Sequence, residues 1–204
     1  MAHRKYEQRL RAEAAEETRR RILDALYERL RTTPSEPVSV DRIAKAAGVS
    51  RSTVYLVFGS RAGLFDALGG DLLHRGGFTE MVRAVLQPDA LAGLRDGIRG
   101  NVAMYAAHRD VLRALYSMAQ LAADAVGGAV QRLEEGRARG MNDLALRLAA
   151  QGALRPDVTA DEAAAVLWLV SGFDSFDLLY TGRGLGPDAV AATLVATAER
   201  TLCP

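Results

Sequence analysis

Residue 48 restricts this chain more than any other position. It is a glycine between two short runs of helical periodicity, within the stretch Val40 to Arg61, VDRIAKAAGVSRSTVYLVFGSR. Val40, Ile43, Ala44 and Ala47 before it, with Val49 and Val54 after it, have the spacing of two short helices that share a buried wedge. A residue without a Cβ can turn sharply between them because left-handed φ is open to it at no steric cost. Ser50 then stands where its hydroxyl can accept a backbone N–H that the first turn of the second helix leaves unpaired. A helix, a short glycine turn and a second helix form a unit whose second member fits the DNA major groove.

The rest of the chain is compatible with such a head. Its 204 residues, 49% apolar and 25% charged, can bury a proper core and do not suggest disorder. The net charge of +1 hides an uneven distribution: residues 1–75 carry 14 Lys+Arg against 10 Asp+Glu, and residues 76–204 carry 12 against 15. A basic front and a mildly acidic rear suit a polyanion-binding head on a neutral body. The single cysteine, Cys203, has no internal partner, which fits a reducing compartment. No run approaches the ~18 apolar residues of a membrane span, and the Arg- and Glu-rich N-terminus lacks a signal-peptide core. The expected location is the cytoplasm, with no membrane partner.

Taken in order, residues 1–17 form a charged extension. It can extend the helix that follows or fray, and is either a solvated lead-in or an arm whose His3, Arg4, Lys5, Arg9 and Arg11 touch phosphates or a minor groove. An amphipathic helix is expected from Thr18, burying Ile22, Leu26 and Leu30. Arg19, Arg20 and Arg21 would then lie in its first turn, where the helix dipole disfavours cations and an external anion would be welcome. Two prolines between Thr32 and Pro37 make a loop, and Ser39 can cap the helix that follows. Arg42 and Lys45 share the face opposite Ile43 and Ala44, where solvent or the DNA backbone would meet them. The second helix should run from Arg51 to Phe58, with Val54 and Phe58 inward and Arg51, Ser52 and Tyr55 outward. Arg51 is the leading candidate for reading a base, since a guanidinium pairs bidentately with guanine O6 and N7, worth about 1–3 kcal/mol of discrimination. Thr53, Tyr55 and Arg61 suit phosphate oxygens. Leu56 and Val57 either touch a thymine methyl or simply pack.

Ser60 can cap a further helix from Arg61, which Gly69-Gly70 should interrupt and Gly76-Gly77 should end. Beyond it the pattern stays helical. Gly93, Gly97 and Gly100 suggest close helix contact, His108 to Asp110 a break, and Gly127-Gly128 a split. Thr159 is a cap with Asp161 and Glu162 in its first turn, and Pro187 a first helical residue. No strand pattern competes. The expected fold is all-α, a three-helix helix-turn-helix head followed by a helical bundle, with about nine helices.

Residues 18–65 resemble the DNA-binding signature of the TetR/AcrR family of transcriptional regulators, with looser similarity at 151–170. Thr53, Tyr55, Phe58 and Arg61 stand where that family has its Thr, Tyr, an aromatic or apolar residue, and Lys. The chain departs from the family at 32–37, which lacks the usual Gly-aromatic pair, and at Leu56 and Val57, where the family commonly presents aromatic or His residues to DNA. The resemblance implies a DNA-binding domain at 18–65, with the motif at 40–59, and a ligand-binding and dimerisation domain at 66–204. It also implies double-stranded operator DNA and a small-molecule effector as partners, repression by default, and a homodimer formed by the last two helices. Val166, Val170, Val190 and Leu194 are the candidate interface residues.

Enzymatic chemistry is not expected. His3, His74 and His108 are scattered, Ser117 and Ser171 lack a paired base, and no metal motif or phosphate-cradling loop is present, so no cofactor is expected. Asp174 and Asp177, with Glu162 farther off, make at most a thin cation site. Tyr105, His108, Tyr116, Met118, Trp168, Phe173 and Phe176 are bulky residues of the rear helices; they either pack as core or surround a mostly apolar or aromatic ligand. Two other functions fit the same sequence: a ligand carrier that does not bind DNA, and a nonspecific DNA-binding protein.

Overall fold

The computed structural model describes residues 2–121, 126 and 128–204, with side chains from Tyr6 onward. Gly127 and the side chains of His3, Arg4 and Lys5 lie outside the described residues. Ten helices occur among them, with no strand: α1 (Ala2–Thr32), α2 (Val40–Ala46), α3 (Arg51–Phe58), α4 (Arg61–Arg75), α5 (Phe78–Val85), α6 (Ala90–Leu121), α7 (Ala129–Ala150), α8 (Ala160–Val170), α9 (Phe173–Tyr180) and α10 (Pro187–Leu202). The chain forms two compact units, one of residues 1–71 with 113–130 and one of 72–112 with 131–204.

In the first unit α1 packs on α2 and α2 on α3. Ile22, Leu26, Leu30, Ile43, Ala44, Val54, Leu64, Phe65 and Leu68 are buried there. The helix expected from Thr18 begins instead at Ala2, so the charged extension is part of one 31-residue helix. Ion pairs one turn apart, Arg9 with Glu13 and Arg20 with Glu17, support its exposed length. Arg19, Arg20 and Arg21 are therefore mid-helix, and the argument from an unfavourable first turn does not apply to them. The loop from Thr33 to Pro37 is tied by Arg29, which donates to the Thr33 carbonyl and hydroxyl, to the Glu36 carbonyl at 2.9 Å and to the Pro37 carbonyl at 3.4 Å. That clamp occupies the place of the missing Gly-aromatic turn. Between α2 and α3, Gly48 has φ +66°. Gly69-Gly70 does not interrupt α4, which runs on to Arg75 before Gly76-Gly77.

In the second unit the small residues of α6 admit α5 closely. A Cβ on Gly93 would stand 2.5 Å from the Val85 carbonyl oxygen, and one on Gly97 2.7 Å from a Val85 methyl. Arg147 of α7 donates to that same Val85 carbonyl at 2.6 Å and to the Gln87 carbonyl, while Gln151 donates to Pro88 and accepts from the backbone of Ala90. The turn between α5 and α6 is thus satisfied by the side chains of Arg147 in α7 and of Gln151 just after it. The break expected at His108 to Asp110 is a kink at one residue, His108 (φ −119°, ψ 17°), inside a continuous α6. Helices α8, α9 and α10 pack on one another. Thr159 and Glu162 form a reciprocal capping box at the start of α8, and Pro187 opens α10. Arg95 of α6 reaches Glu199 of α10 at 2.5 Å.

Two substitutions test this account by urea denaturation. Gly48→Ala should cost about 1–2 kcal/mol through left-handed backbone strain alone. Gly93→Ala should cost roughly 1–3 kcal/mol by overpacking against backbone, and more than Gly97→Ala, whose obstacle is a side chain.

Candidate nucleic-acid interface

The turn after α2 closes through two backbone bonds, Gly48 to the Lys45 carbonyl (3.2 Å) and Val49 to the Ala44 carbonyl (2.9 Å). Ser50 then caps α3, accepting the Thr53 backbone N–H at 3.1 Å. Its hydroxyl also lies 2.7 Å from Ser52 Oγ and 2.8 Å from Thr53 Oγ1, so three hydroxyls gather at the N-terminal end of the helix. By contrast, Ser39 precedes α2 without a side-chain cap. Inward, Val54 is buried and Phe58 is half-buried, with the Arg19 guanidinium 5.0 Å from its ring centre. Outward, Arg51, Ser52 and Leu56 are exposed, Leu56 at 86%, while Thr53, Tyr55 and Val57 are half-buried.

Arg51 carries the most structured of these side chains. Its Nη1 donates to Asp41 Oδ2 at 3.1 Å and lies 3.4 Å from Oδ1; its Nη2 reaches the Tyr55 hydroxyl at 3.5 Å, and the guanidinium sits 5.5 Å from the Tyr55 ring centre. The Tyr55 hydroxyl and the Asp41 charge raise its pKa above the ordinary arginine value. Asp41, in the first turn of α2, is therefore the partner of the leading base-reading candidate.

Of the other candidates, Arg42 is exposed and paired with Glu36 at 3.1 Å, and Lys45 is exposed. Arg61 stands at the start of α4 with its guanidinium 5.7 Å from the Phe65 ring centre, and its Nε is buried without a partner among the described residues. A groove of about 470 Å³ opens between α1 and α2, but Arg21, Asp24, Glu28 and Arg42 give its rim both signs of charge.

The rear set divides. Tyr105, Phe173 and Phe176 come together, with ring centres 5.6–6.1 Å apart, and Tyr180 stacks on Phe176. The Tyr105 hydroxyl donates to the Ser171 carbonyl at 3.1 Å, and burial pushes its pKa up. Trp168 is 44% exposed beneath the Arg137 guanidinium, 5.0 Å away. His108 occupies the α6 kink, whereas Tyr116 and Met118 belong to the first unit and are half-buried. Arg109, next to the kink, holds Asp177 (3.0 Å) and the Thr181 hydroxyl (2.8 Å). Asp177 is thus an arginine partner and Glu162 a helix cap; no metal-binding cluster occurs among the described residues.

The expected interface residues also need revision. Val190 is fully buried within the chain, Val170 and Leu194 are nearly so, and Val166 is half-buried, because α8 and α10 close on each other. The large apolar side chains that α8 and α9 leave exposed are Trp168, Leu169 (64%) and Leu178 (70%). Val166 and Val170 flank Trp168 and Leu169 on α8, and which of them faces out follows from the side of α8 that meets α10.

Comparison with known proteins follows this geometry. Residues 22–68, spanning α2, α3 and the turn between them, match the family described as bacterial regulatory proteins, tetR family. NalD of Pseudomonas aeruginosa, the secondary repressor of the MexAB-OprM multidrug efflux pump, is similar over 94% of this chain and 98% of its own, with 26% identity and a TM-score of 0.71. The fatty acid degradation regulator FadR from Bacillus halodurans shares the fold over 88% of this chain and 93% of its own (16% identity, TM-score 0.66). A transcriptional regulator from Rhodococcus does so over 89% and 94% (16% identity, TM-score 0.66). No curated protein sequence matches the chain. The helix-turn-helix head of residues 22–68 thus matches the tetR family of bacterial regulatory proteins, and along nearly its whole length the chain shares the fold of such regulators.

Proposed function

We propose that this DNA-binding regulator is a cytoplasmic repressor, released from a palindromic operator by a small apolar or aromatic effector. The observation that carries the proposal is α3: a short helix anchored inward by Val54 and presenting Arg51, Ser52 and Leu56 to solvent. Arg51 reads a guanine edge, Leu56 meets a thymine methyl, and Thr53, Tyr55, Arg42, Lys45 and Arg61 take phosphate oxygens. Likeness to NalD, a repressor, supports the sign of regulation.

Residues 18–65 act as the DNA-binding domain in this scheme, and 66–204 as the effector and dimerisation domain. The effector enters beside Tyr105, His108, Trp168, Phe173 and Phe176, with α4 as the continuous helix leading out of the head. Effector and operator then weaken each other by one common factor, as coupled binding requires. The dimer forms through the exposed apolar side chains of α8 and α9, and its twofold symmetry gives the operator its palindrome.

Selection of bound genomic fragments followed by footprinting should return half-sites separated by one or more helical turns of ~34–36 Å. Arg51→Ala should relax preference at one base pair per half-site by the ~1–3 kcal/mol of a bidentate contact. Unchanged DNA affinity in both Arg51→Ala and Tyr55→Ala would refute the proposed reading surface. Sedimentation of the native chain should give a dimer, and Leu169→Glu with Leu178→Glu should convert it to a 21.9 kDa species; a native monomer at micromolar concentration would count against the interface.

A further inference from the structure

Arg51 is not a free cation on the surface of α3. Its Nη1 is held against both oxygens of Asp41, ten residues earlier and across the turn, and its planar group lies beside the Tyr55 ring. Both members of the pair are well exposed, with side-chain exposures of 59% and 62%. Such a pair shifts a binding equilibrium by only about two- to fivefold through attraction alone. Its geometry has the larger consequence. Nη1 is held by Asp41 and Nη2 uses one of its two hydrogens on the long, 3.5 Å contact with the Tyr55 hydroxyl, which leaves Nε and the second Nη2 hydrogen as donors in a fixed plane for the two acceptors of guanine, O6 and N7. A phosphate can also accept from two such donors, but unlike the neutral guanine edge it is repelled by the nearby carboxylate.

We propose that Asp41 is a specificity-determining positioning residue: it orients the Arg51 guanidinium toward a guanine edge and disfavours its capture by phosphate. The inference rests on the reading of α3 as the DNA-recognition helix. Asp41 contacts no base itself. Its position in the first turn of α2 brings the carboxylate to Arg51 only because Gly48 folds α3 back across α2.

The test compares native protein and Asp41→Asn on two duplexes, the operator obtained by fragment selection and a shuffled duplex of equal length and composition. Asp41→Asn should change operator affinity by less than about threefold and raise affinity for the shuffled duplex. The specificity ratio should fall about tenfold, within the ~5- to 150-fold range of a bidentate guanine contact. On the shuffled duplex the salt slope should steepen by about 0.9, the signature of one added phosphate contact. In an Arg51→Ala background the same substitution should leave the ratio unchanged, since the two residues act as a unit. Glu16→Gln makes the same charge change on the exposed part of α1 and should leave the ratio intact. The inference is overturned if Asp41→Asn preserves the ratio, lowers it equally without Arg51, or is matched by Glu16→Gln. If the native chain shows no preference between the two duplexes, the proposed function fails first, before Asp41 enters.

Discussion

Every α-helix ends in carbonyl groups that its own ladder cannot pair, and much of this structure depends on how arginine takes them. Arg29 gathers the carbonyls that follow α1, Arg147 those that follow α5, and Arg137 the Trp168 carbonyl at the end of α8. A guanidinium can do this because it holds five N–H donors in one plane and reaches carbonyls at different heights. The side chains of Arg29 and Arg137 are only 12% exposed, so water would not readily replace them. Removing either would cost its charge-assisted hydrogen bonds, each about 1.5–3 kcal/mol.

Arg137 shows how such a clamp collects further work. Besides the Trp168 carbonyl it meets Ser171 Oγ at 3.0 Å, pairs with Glu134 and covers the Trp168 ring. Ser171 in turn accepts the Tyr105 hydroxyl through its carbonyl. The bend between α8 and α9 is therefore built from α6, α7 and the bend itself, and the aromatic cluster of Tyr105, Phe173 and Phe176 inherits its position from it.

What could be read in the sequence was whatever local rules decide. Gly48, Ser50, Thr159 and Pro187 act on their own neighbours within four residues, and the structure has the expected turn, caps and first turn at each. The exposed side of α3 was visible for the same reason. The arginine clamps were not, because Arg147 and Val85 are 62 residues apart and nothing distinguishes that arginine from its many neighbours in the chain. Tertiary packing likewise decided that Val190 and Leu194 face α10's own partners while Leu169 and Leu178 face out. The N-terminal extension was ambiguous because it has no apolar stripe, and its helix is supported by ion pairs and propensity alone. At His108 the polar run suggested a stop, yet only one residue leaves helical geometry.

Leu56, at 86% exposure, does no packing work, and of the eight residues in α3 only Val54 is fully committed to the core. Substitutions at such surface positions usually change stability by no more than about 0.5 kcal/mol. The helix can therefore exchange its outward residues one at a time while the fold stays at constant stability. Descendants of this chain could vary the exposed side of α3 through neutral steps at Leu56, with the Gly48 turn and the Val54 anchor left untouched.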